Sequence, residues 1–199
     1  MELRPIANLS LPKLAWIAEV NRTDQTVTLH HGPLVEVRQN FFVEGVWDGS
    51  FAKGDFGETE CVFGTGGILK DGSVRFVTSA ATTDFLYYDD RGPQVTVSNS
   101  LPLLLAYVRD SLDPHYLDYP PICESVMDGI DDYRRDIPTK RGKVRRQMFR
   151  NLEVSEQKVW ESDKSMPPPF GCFEEYRNYL RGRYALIVAT REMVHVPSR

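Results

Sequence analysis

The side chains most able to do chemistry in this 199-residue chain are three cysteines. Thiolates act as nucleophiles and as metal ligands. Cys61, Cys123 and Cys172 are odd in number and widely spaced, which argues against a disulfide framework and is typical of a reducing cytoplasm. Cys61 falls in a predicted strand, and Cys172 at a predicted helix start, so Cys172 is the more reactive candidate. Buried, inert thiols remain the default interpretation.

No pair of acidic residues and no set of possible metal ligands has a spacing typical of a catalytic site. Asp89 with Asp90, and the acids of 128–132, fall in predicted turns or on an exposed helix face. The four histidines and the cysteines show no CxxC or HExxH spacing. The run FGTGG at 63–67 lacks the Gly-Lys-Ser ending of a phosphate loop and continues into a strand. We therefore predict no catalytic residue, no metal and no cofactor.

The charge balance excludes some classes of partner. A net charge of −4 gives no general attraction to nucleic acid or to an anionic membrane. The one basic cluster, at 134–146, is interpreted as a solvated edge ribbon, where positive charge discourages pairing between sheets. No apolar run of about 18 residues exists, and the N-terminal residues lack the order of a signal peptide. We expect a cytoplasmic protein with neither nucleic acid nor membrane as a partner.

The elements that would position these side chains are mostly strands. The stretch 74–110 is the clearest unit: three runs rich in β-branched and aromatic residues, then Ser98-Asn99-Ser100 and Pro102, which favour a helix start. Short strands are predicted before it, at 14–20, 25–30 and 34–38. Lys143 to Val154 is predicted as an extended ribbon, and Phe173 to Met193 as a helix. About ten strands followed by helices predict an α+β sandwich.

The order of several segments resembles a known family. FFVEGVWDGSF, CVFGTGGIL, VRFVTSAATTDFLYYDD and VTVSNSLPLLLAYV, followed by the aromatic helix at 173–180, are similar to the N-terminal half of asparagine-synthetase-like enzymes. In that family this half is a glutamine-amidotransferase domain with an N-terminal-nucleophile hydrolase fold. The resemblance implies a four-layer αββα sandwich, two antiparallel sheets flanked by helices. It also implies a glutaminase-like domain at 1–165 and a Pro-rich spacer with a C-terminal helix at 166–199.

The departures from the family determine the functional prediction. The family's nucleophile is an N-terminal cysteine, whereas residue 2 here is Glu2 and no cysteine precedes Cys61. The Arg and Asn-Gly motifs that hold glutamine, and the synthetase half's Ser-Gly-Gly-x-Asp-Ser loop, have no counterpart. We therefore expect a non-catalytic domain that docks on and stabilises an asparagine-synthetase-like, ATP-dependent partner, or that forms a homo-oligomer. The predicted partner-binding residues lie on the last helix: Phe173, Tyr176, Tyr179, Leu180 and Tyr184.

Two alternatives remain open from the sequence. The first is a small-molecule or peptide-binding module that keeps the old glutamine pocket, with Trp47, Asp48, Thr83 and Asp84 as substrate-binding residues. The second is a hydrolase of amide bonds that uses a relocated nucleophile, either Cys61 or a threonine at 82–83.

Overall fold

The fold is built from thirteen strands and three α-helices in the computed structural model, which describes residues 1–194 and side chains as far as residue 189. The strands are β1 Glu2–Ala7, β2 Trp16–Asn21, β3 Thr26–His31, β4 Glu36–Val37, β5 Phe41–Trp47, β6 Val62–Lys70, β7 Ser73–Val77, β8 Leu86–Asp89, β9 Gln94–Ser98, β10 Asp136–Thr139, β11 Gly142–Gln147, β12 Asn151–Ser155 and β13 Val159–Ser162. The helices are α1 Leu101–Tyr107, α2 Tyr119–Glu124 and α3 Phe173–Val194, with short 3-10 helices at Phe51–Lys53, Asp55–Glu58 and Ser125–Asp128. Residues 195–199, the end of the predicted segment 166–199, lie outside the described residues.

The strands form two sheets. One has seven strands in the order β1-β3-β2-β9-β8-β11-β10, and the other has six in the order β13-β12-β7-β6-β5-β4. Within the described residues, neighbouring strands pair antiparallel except β1 with β3. The predicted α+β class with two mostly antiparallel sheets is therefore confirmed.

The main core lies between the two sheets. Alternate residues of β2 and β9 point inward from one sheet, and Phe42 and Phe76 point inward from the other, as the two-residue period of strands requires. Trp16 is fully buried at the centre, 5.0 Å from Phe42 and 6.0 Å from Phe76 between ring centroids. Such aromatic pairs add to the stability that burial alone provides.

Each outer sheet face has its own cover. Leu104 and Leu105 of α1 and Ile122 of α2 pack on Ile17, on the outer face of the seven-stranded sheet. On the six-stranded sheet, Trp47 and other buried aromatic residues pack beneath the 3-10 helices, and α3 contacts β5 and the first of those helices. The order of layers is helix, sheet, sheet, helix. No helix of the described chain is both long and apolar enough to cross a bilayer.

The helix at the centre of the chain forms as predicted. Ser100 caps α1 by accepting a hydrogen bond from the Leu103 amide, and Pro102 lies in its first turn. Pro120-Pro121 predict a short turn with a helix after it, from about residue 122, whereas α2 begins at Tyr119 and takes both prolines into its first turn. Proline is tolerated there because those amides have no partner within the helix.

Two further features differ from the prediction. β1 has no counterpart among the predicted strands; it joins the edge of the seven-stranded sheet beside β3. The predicted ribbon at 143–154 is two strands, β11 and β12, which belong to different sheets. β11 lies between β8 and β10 and is therefore not an edge strand, and its arginines are paired: Arg145 binds Asp90, and Arg146 binds the Ile122 carbonyl and Ser125.

Two glycines allow β5 and β6 to approach closely where the polar end of the sandwich begins. Gly45 pairs with Gly64, and both have positive φ angles, of 144° and 123°. A Cβ atom on Gly64 would lie 2.0 Å from the Glu44 carbonyl oxygen and 2.6 Å from the Gly45 Cα. Only glycine can occupy this position without strain.

Replacing Gly64 should test this constraint. We expect Gly64→Ala to lower the free energy of unfolding by more than ~2 kcal/mol, because both the φ angle and the backbone contact oppose a side chain. The control is Gly182→Ala in α3, where nothing lies within 4 Å and helix propensity favours alanine. Urea unfolding of both variants measures the effect; a Gly64→Ala protein as stable as the wild type would contradict this account.

Candidate functional site

At one end of the sandwich, polar side chains replace the apolar ones that fill its middle. β2 begins there at Trp16, beside the end of β9. Asn99 follows β9 directly, in the joint to α1. Glu44 of β5 and Thr65 of β6, which are paired across the other sheet, lie close enough to bond to residues from the first. These side chains form the candidate functional site.

One carboxyl oxygen of Glu44 accepts three hydrogen bonds. Thr65 donates from Oγ1 at 2.6 Å and from its backbone nitrogen at 3.0 Å, and Asn99 donates from Nδ2 at 3.4 Å, all to Oε1. The other oxygen, Oε2, has no hydrogen-bond partner among the described residues. The side chain is therefore held in place through one oxygen, and the second is available to a ligand.

Asn99 and Trp16 hold the chain at the mouth of this site. Asn99 Oδ1 accepts from the Trp16 backbone nitrogen at 3.0 Å, and Nδ2 donates to the Leu14 carbonyl at 2.9 Å. The Trp16 indole donates to Thr65 Oγ1 at 3.0 Å, and that hydroxyl donates onward to Glu44. A connected polar network of this kind fixes the positions of its members.

A cavity of about 210 Å³ lies beside Glu44. Its lining residues are Glu44, Thr65, Thr83, Asp84, Phe85, Tyr87 and Asn99. Burial raises the pKa of the Glu44 carboxyl above its usual value, against the hydrogen bonds from Thr65 and Asn99 and with help from the charge of Asp84. A raised pKa widens the pH range over which the carboxyl is neutral, and the neutral form can both donate and accept hydrogen bonds.

The structure separates the four predicted substrate-binding residues into two places. Thr83 and Asp84 line the cavity with Glu44. Trp47 is fully buried on the outer face of the six-stranded sheet and donates to Asp55 at 2.8 Å. Asp48, which follows it, is bonded to Arg183 of α3. Trp47 and Asp48 are not among the residues that line the cavity.

The sequence interpretation did not include Glu44, Thr65 or Asn99. Glu44 had a detectable signal, because it is a carboxylate within the otherwise apolar run FFVEGV. A single acid in such a run is either solvent-facing or part of a polar site, and the strand period alone does not choose between them. The sequence predicts Asn99 only as part of a helix cap, whereas its side chain bonds to Leu14, Trp16 and Glu44.

Cys61 is disfavoured as a nucleophile in this arrangement. Burial raises the pKa of the Cys61 thiol, while the Tyr179 hydroxyl, 3.9 Å from its sulfur, acts in the opposite direction. Because the thiolate is the reactive form, a raised pKa disfavours attack. The Thr83 hydroxyl is exposed and donates to Asp84 at 3.4 Å.

The mouth of the site also lacks a free α-amine. Fifteen residues precede Trp16, so its backbone nitrogen is an amide and cannot serve as the base of an N-terminal nucleophile. Glu2 lies at the other end of the seven-stranded sheet, because β1 pairs parallel with β3 and begins beside Thr26. In the described part of the chain, no group of three or more His, Cys, Asp or Glu side chains could hold a metal ion.

A second buried polar group lies where the chain leaves β13. The Lys164 side chain is almost fully buried and donates to the Thr78 carbonyl. Burial lowers the pKa of its ammonium group to about 8, although Glu60 and Cys61 act in the opposite direction. Lys164 thus anchors the start of the spacer that leads to α3.

The helix α3 is attached to the sandwich through polar side chains. Tyr179 donates a hydrogen bond to Glu60, and Arg183 forms an ion pair with Asp48, whose side chain is 1% exposed. The Arg183 guanidinium also lies over the Tyr179 ring, 4.9 Å from its centroid. Tyr179, Arg183 and Ile187 are the half-buried positions between 173 and 189, so they mark the side of the helix that faces the sandwich.

Four of the five predicted partner-binding residues are exposed. Phe173 and Tyr184 are 74% and 69% exposed, and Tyr176 and Leu180 are 42% and 44% exposed. Tyr179 is instead on the side that faces the sandwich. Val188 continues the exposed set one turn beyond Tyr184. We call Phe173, Tyr176, Leu180, Tyr184 and Val188 the apolar stripe of α3.

No protein-family model, curated protein or solved structure matches this chain.

The raised pKa of Glu44 predicts a specific pH dependence. A carboxyl whose pKa is higher in the folded state stabilises the fold below its unfolded pKa, and this contribution is lost as pH rises through the folded pKa. Glu44→Gln, which removes the charge and keeps the shape, should therefore gain stability relative to the wild type as pH rises from 4 to 8. Urea unfolding across that range measures this gain as a difference in the free energy of unfolding.

The matched control is Glu124→Gln, which removes an exposed carboxylate of α2. The difference in free energy of unfolding between this variant and the wild type should be the same at each pH. If the difference in free energy of unfolding between Glu44→Gln and the wild type also stayed constant with pH, burial would not raise the pKa of Glu44.

Proposed function

We propose that this chain is a non-catalytic, glutaminase-like domain that docks on and stabilises an asparagine-synthetase-like, ATP-dependent partner in an amide-forming pathway. The observation that carries the proposal is the apolar stripe of α3, a row of large apolar side chains left in solvent on a helix that the sandwich holds in place. On monomeric soluble proteins, a large contiguous exposed apolar surface typically marks a site of interaction with another molecule.

The attachment of α3 supports a role as a docking arm. Tyr179 and Arg183 fix which side of the helix faces the sandwich, so the stripe points in a defined direction. Phe170 of the spacer packs on Tyr176 and Tyr179, with ring centroids 5.4 and 5.1 Å apart, which orders the start of the helix. A helix ordered before binding loses less conformational entropy when its partner covers it.

The chemistry at the mouth of the cleft supports the non-catalytic part of the proposal. The position beside Glu44 is occupied by the amide of Trp16, which donates to Asn99, and not by a cysteine with a free amine. All three cysteines are free thiols, which agrees with the proposed cytoplasmic location, because such a location keeps thiols reduced. The hydrolase alternative has less support, since burial disfavours the Cys61 thiolate.

The docking arm can be tested with charge placed on the stripe. Leu180→Asp with Tyr184→Asp should weaken association with the synthetase-type protein encoded nearest to this chain's gene by at least about tenfold, because two large side chains leave the interface. Co-purification from co-expressing cells and calorimetric titration measure the change. The double variant should remain folded, because both side chains are already in solvent.

The control is Asn178→Asp, which adds one negative charge to an exposed position of α3 outside the stripe. It should leave association unchanged. Loss of association in both proteins would indicate a charge effect without a defined surface, and unchanged association in the double variant would refute the docking arm. Self-association of the wild type that the double variant loses would replace the synthetase partner with a homo-oligomer.

A second function, small-molecule binding in the cleft, is favoured by Glu44. Its Oε2 atom has no partner among the described residues and lies beside a cavity of about 210 Å³, which is smaller than a drug-sized pocket. The two N–H groups of a ligand's primary amide can donate to Glu44 Oε2 and to Asp84.

Thermal-shift screening with small primary amides tests this function. We expect acetamide- to glutamine-sized amides to raise the melting temperature of the wild type, because a ligand that binds only the folded state stabilises it. The shift should be reduced in Thr83→Val and Glu44→Ala, which line the cavity. Equal shifts in wild type and both variants would place the binding elsewhere and contradict this function.

A further inference from the structure

The outer face of the seven-stranded sheet is only half covered by helices. The row of residues nearest the Glu44 cavity contains Ile17 and Tyr87, which pack against α1 and α2. The next row crosses four neighbouring strands in register and contains polar residues only: Thr28 of β3, Glu19 of β2, Thr96 of β9 and Asp89 of β8. α1 ends at Tyr107 and leaves this row as the floor of an open groove.

Glu19 is unusual for its position in the sheet. It lies on β2, between β3 and β9, and is half-buried. The Tyr107 hydroxyl donates to its Oε2 atom at 3.4 Å, and among the described residues no Lys or Arg nitrogen forms an ion pair with it. A carboxylate that is partly removed from water without a cation destabilises the fold. Its presence therefore points to a role in binding.

The groove is also lined by two arginines, Arg91 and the exposed Arg141. Arg91 is fully used there, because it binds both Asp89 and Asp110. Arg141 is not: its guanidinium donates to the Val108 carbonyl at 3.0 Å and has no acid partner among the described residues. Its backbone is fixed by Asp110, which accepts from the Arg141 amide at 3.2 Å. The groove therefore offers one unpaired anion and one unpaired cation.

We propose that this groove binds a small zwitterion, with the ligand's ammonium group on Glu19 and its carboxylate on Arg141. The groove has a volume of about 420 Å³, within the range of small-molecule sites. It lies on the outer face of the seven-stranded sheet, apart from the Glu44 cavity between the sheets, and its lining shares no residue with that cavity.

Tyr107 completes the recognition of the ammonium end. Burial raises the pKa of the Tyr107 hydroxyl, and the neighbouring Glu19 carboxylate raises it further. The phenol therefore stays protonated and orients one carboxylate oxygen, which leaves the other for the ligand. The Tyr107 ring, 5.8 Å from that of His30, offers an apolar surface for the methylene groups of a ligand.

The test uses unbranched ω-amino acids as molecular rulers. Glycine, β-alanine, 4-aminobutyrate, 5-aminopentanoate and 6-aminohexanoate are titrated into the full chain and followed by amide chemical shifts. We expect saturable shifts at Glu19, Thr96 and Tyr107, and one chain length that binds at least about tenfold more tightly than the alkylamine or the carboxylic acid of equal length. The preferred length reports the span between Glu19 and Arg141.

Two variants assign the ends. In Glu19→Gln, the amino acid should bind no more tightly than the carboxylic acid of equal length. In Arg141→Gln, it should bind no more tightly than the alkylamine of equal length. Glu124→Gln, at an exposed position of α2, should bind as the wild type does, and all three variants should keep the wild-type pattern of shifts away from the groove. Absence of saturable shifts, shifts at Glu44 in place of Glu19, or equal affinity in Glu19→Gln would overturn the proposal. None of these outcomes depends on the partner of α3.

Discussion

Trp16 is the contact on which the two sheets depend. Its backbone belongs to the seven-stranded sheet, where its carbonyl accepts from Ser98 and its amide donates to Asn99. Its indole ring packs on Phe42 and Phe76 of the other sheet, and its N–H donates to Thr65 of that sheet. One residue thus sets both the spacing and the lateral position of the two layers. Because the Thr65 hydroxyl in turn donates a hydrogen bond to Glu44, the position of the candidate site follows from the packing of the core.

The same end of the molecule combines features that oppose each other in energy. Burying Glu44, Asn99 and Thr65 removes them from water, and the hydrogen bonds among them return only part of that free energy. This polar network lies at one end of the sandwich, while the middle of the space between the sheets stays apolar. Such a distribution is typical of a site that recognises a ligand, because recognition needs polar atoms that are held in place before the ligand arrives.

Much of the fold was accessible from the sequence, because local signals agreed with the final packing. Ser100 and Pro102 predicted the start of α1, and alternating β-branched residues predicted β9. Long-range choices were not accessible. Nothing local assigns β11 and β12 to different sheets, and the adjacent residues Trp47 and Asp48 bind different elements, the 3-10 helices and α3. Glu44 was missed for the same reason, since only the partner strand decides what its side chain meets.

The parallel pairing of β1 with β3 determines when that strand can join the sheet. Its register joins Leu3 to Val27, so the intervening chain must first form the β2–β3 hairpin that creates the edge. Closing such a loop costs conformational entropy before the strand contacts form and offset that cost. We therefore expect β1 to join the sheet late in folding and, as an edge strand, to exchange its amide protons before the inner strands do.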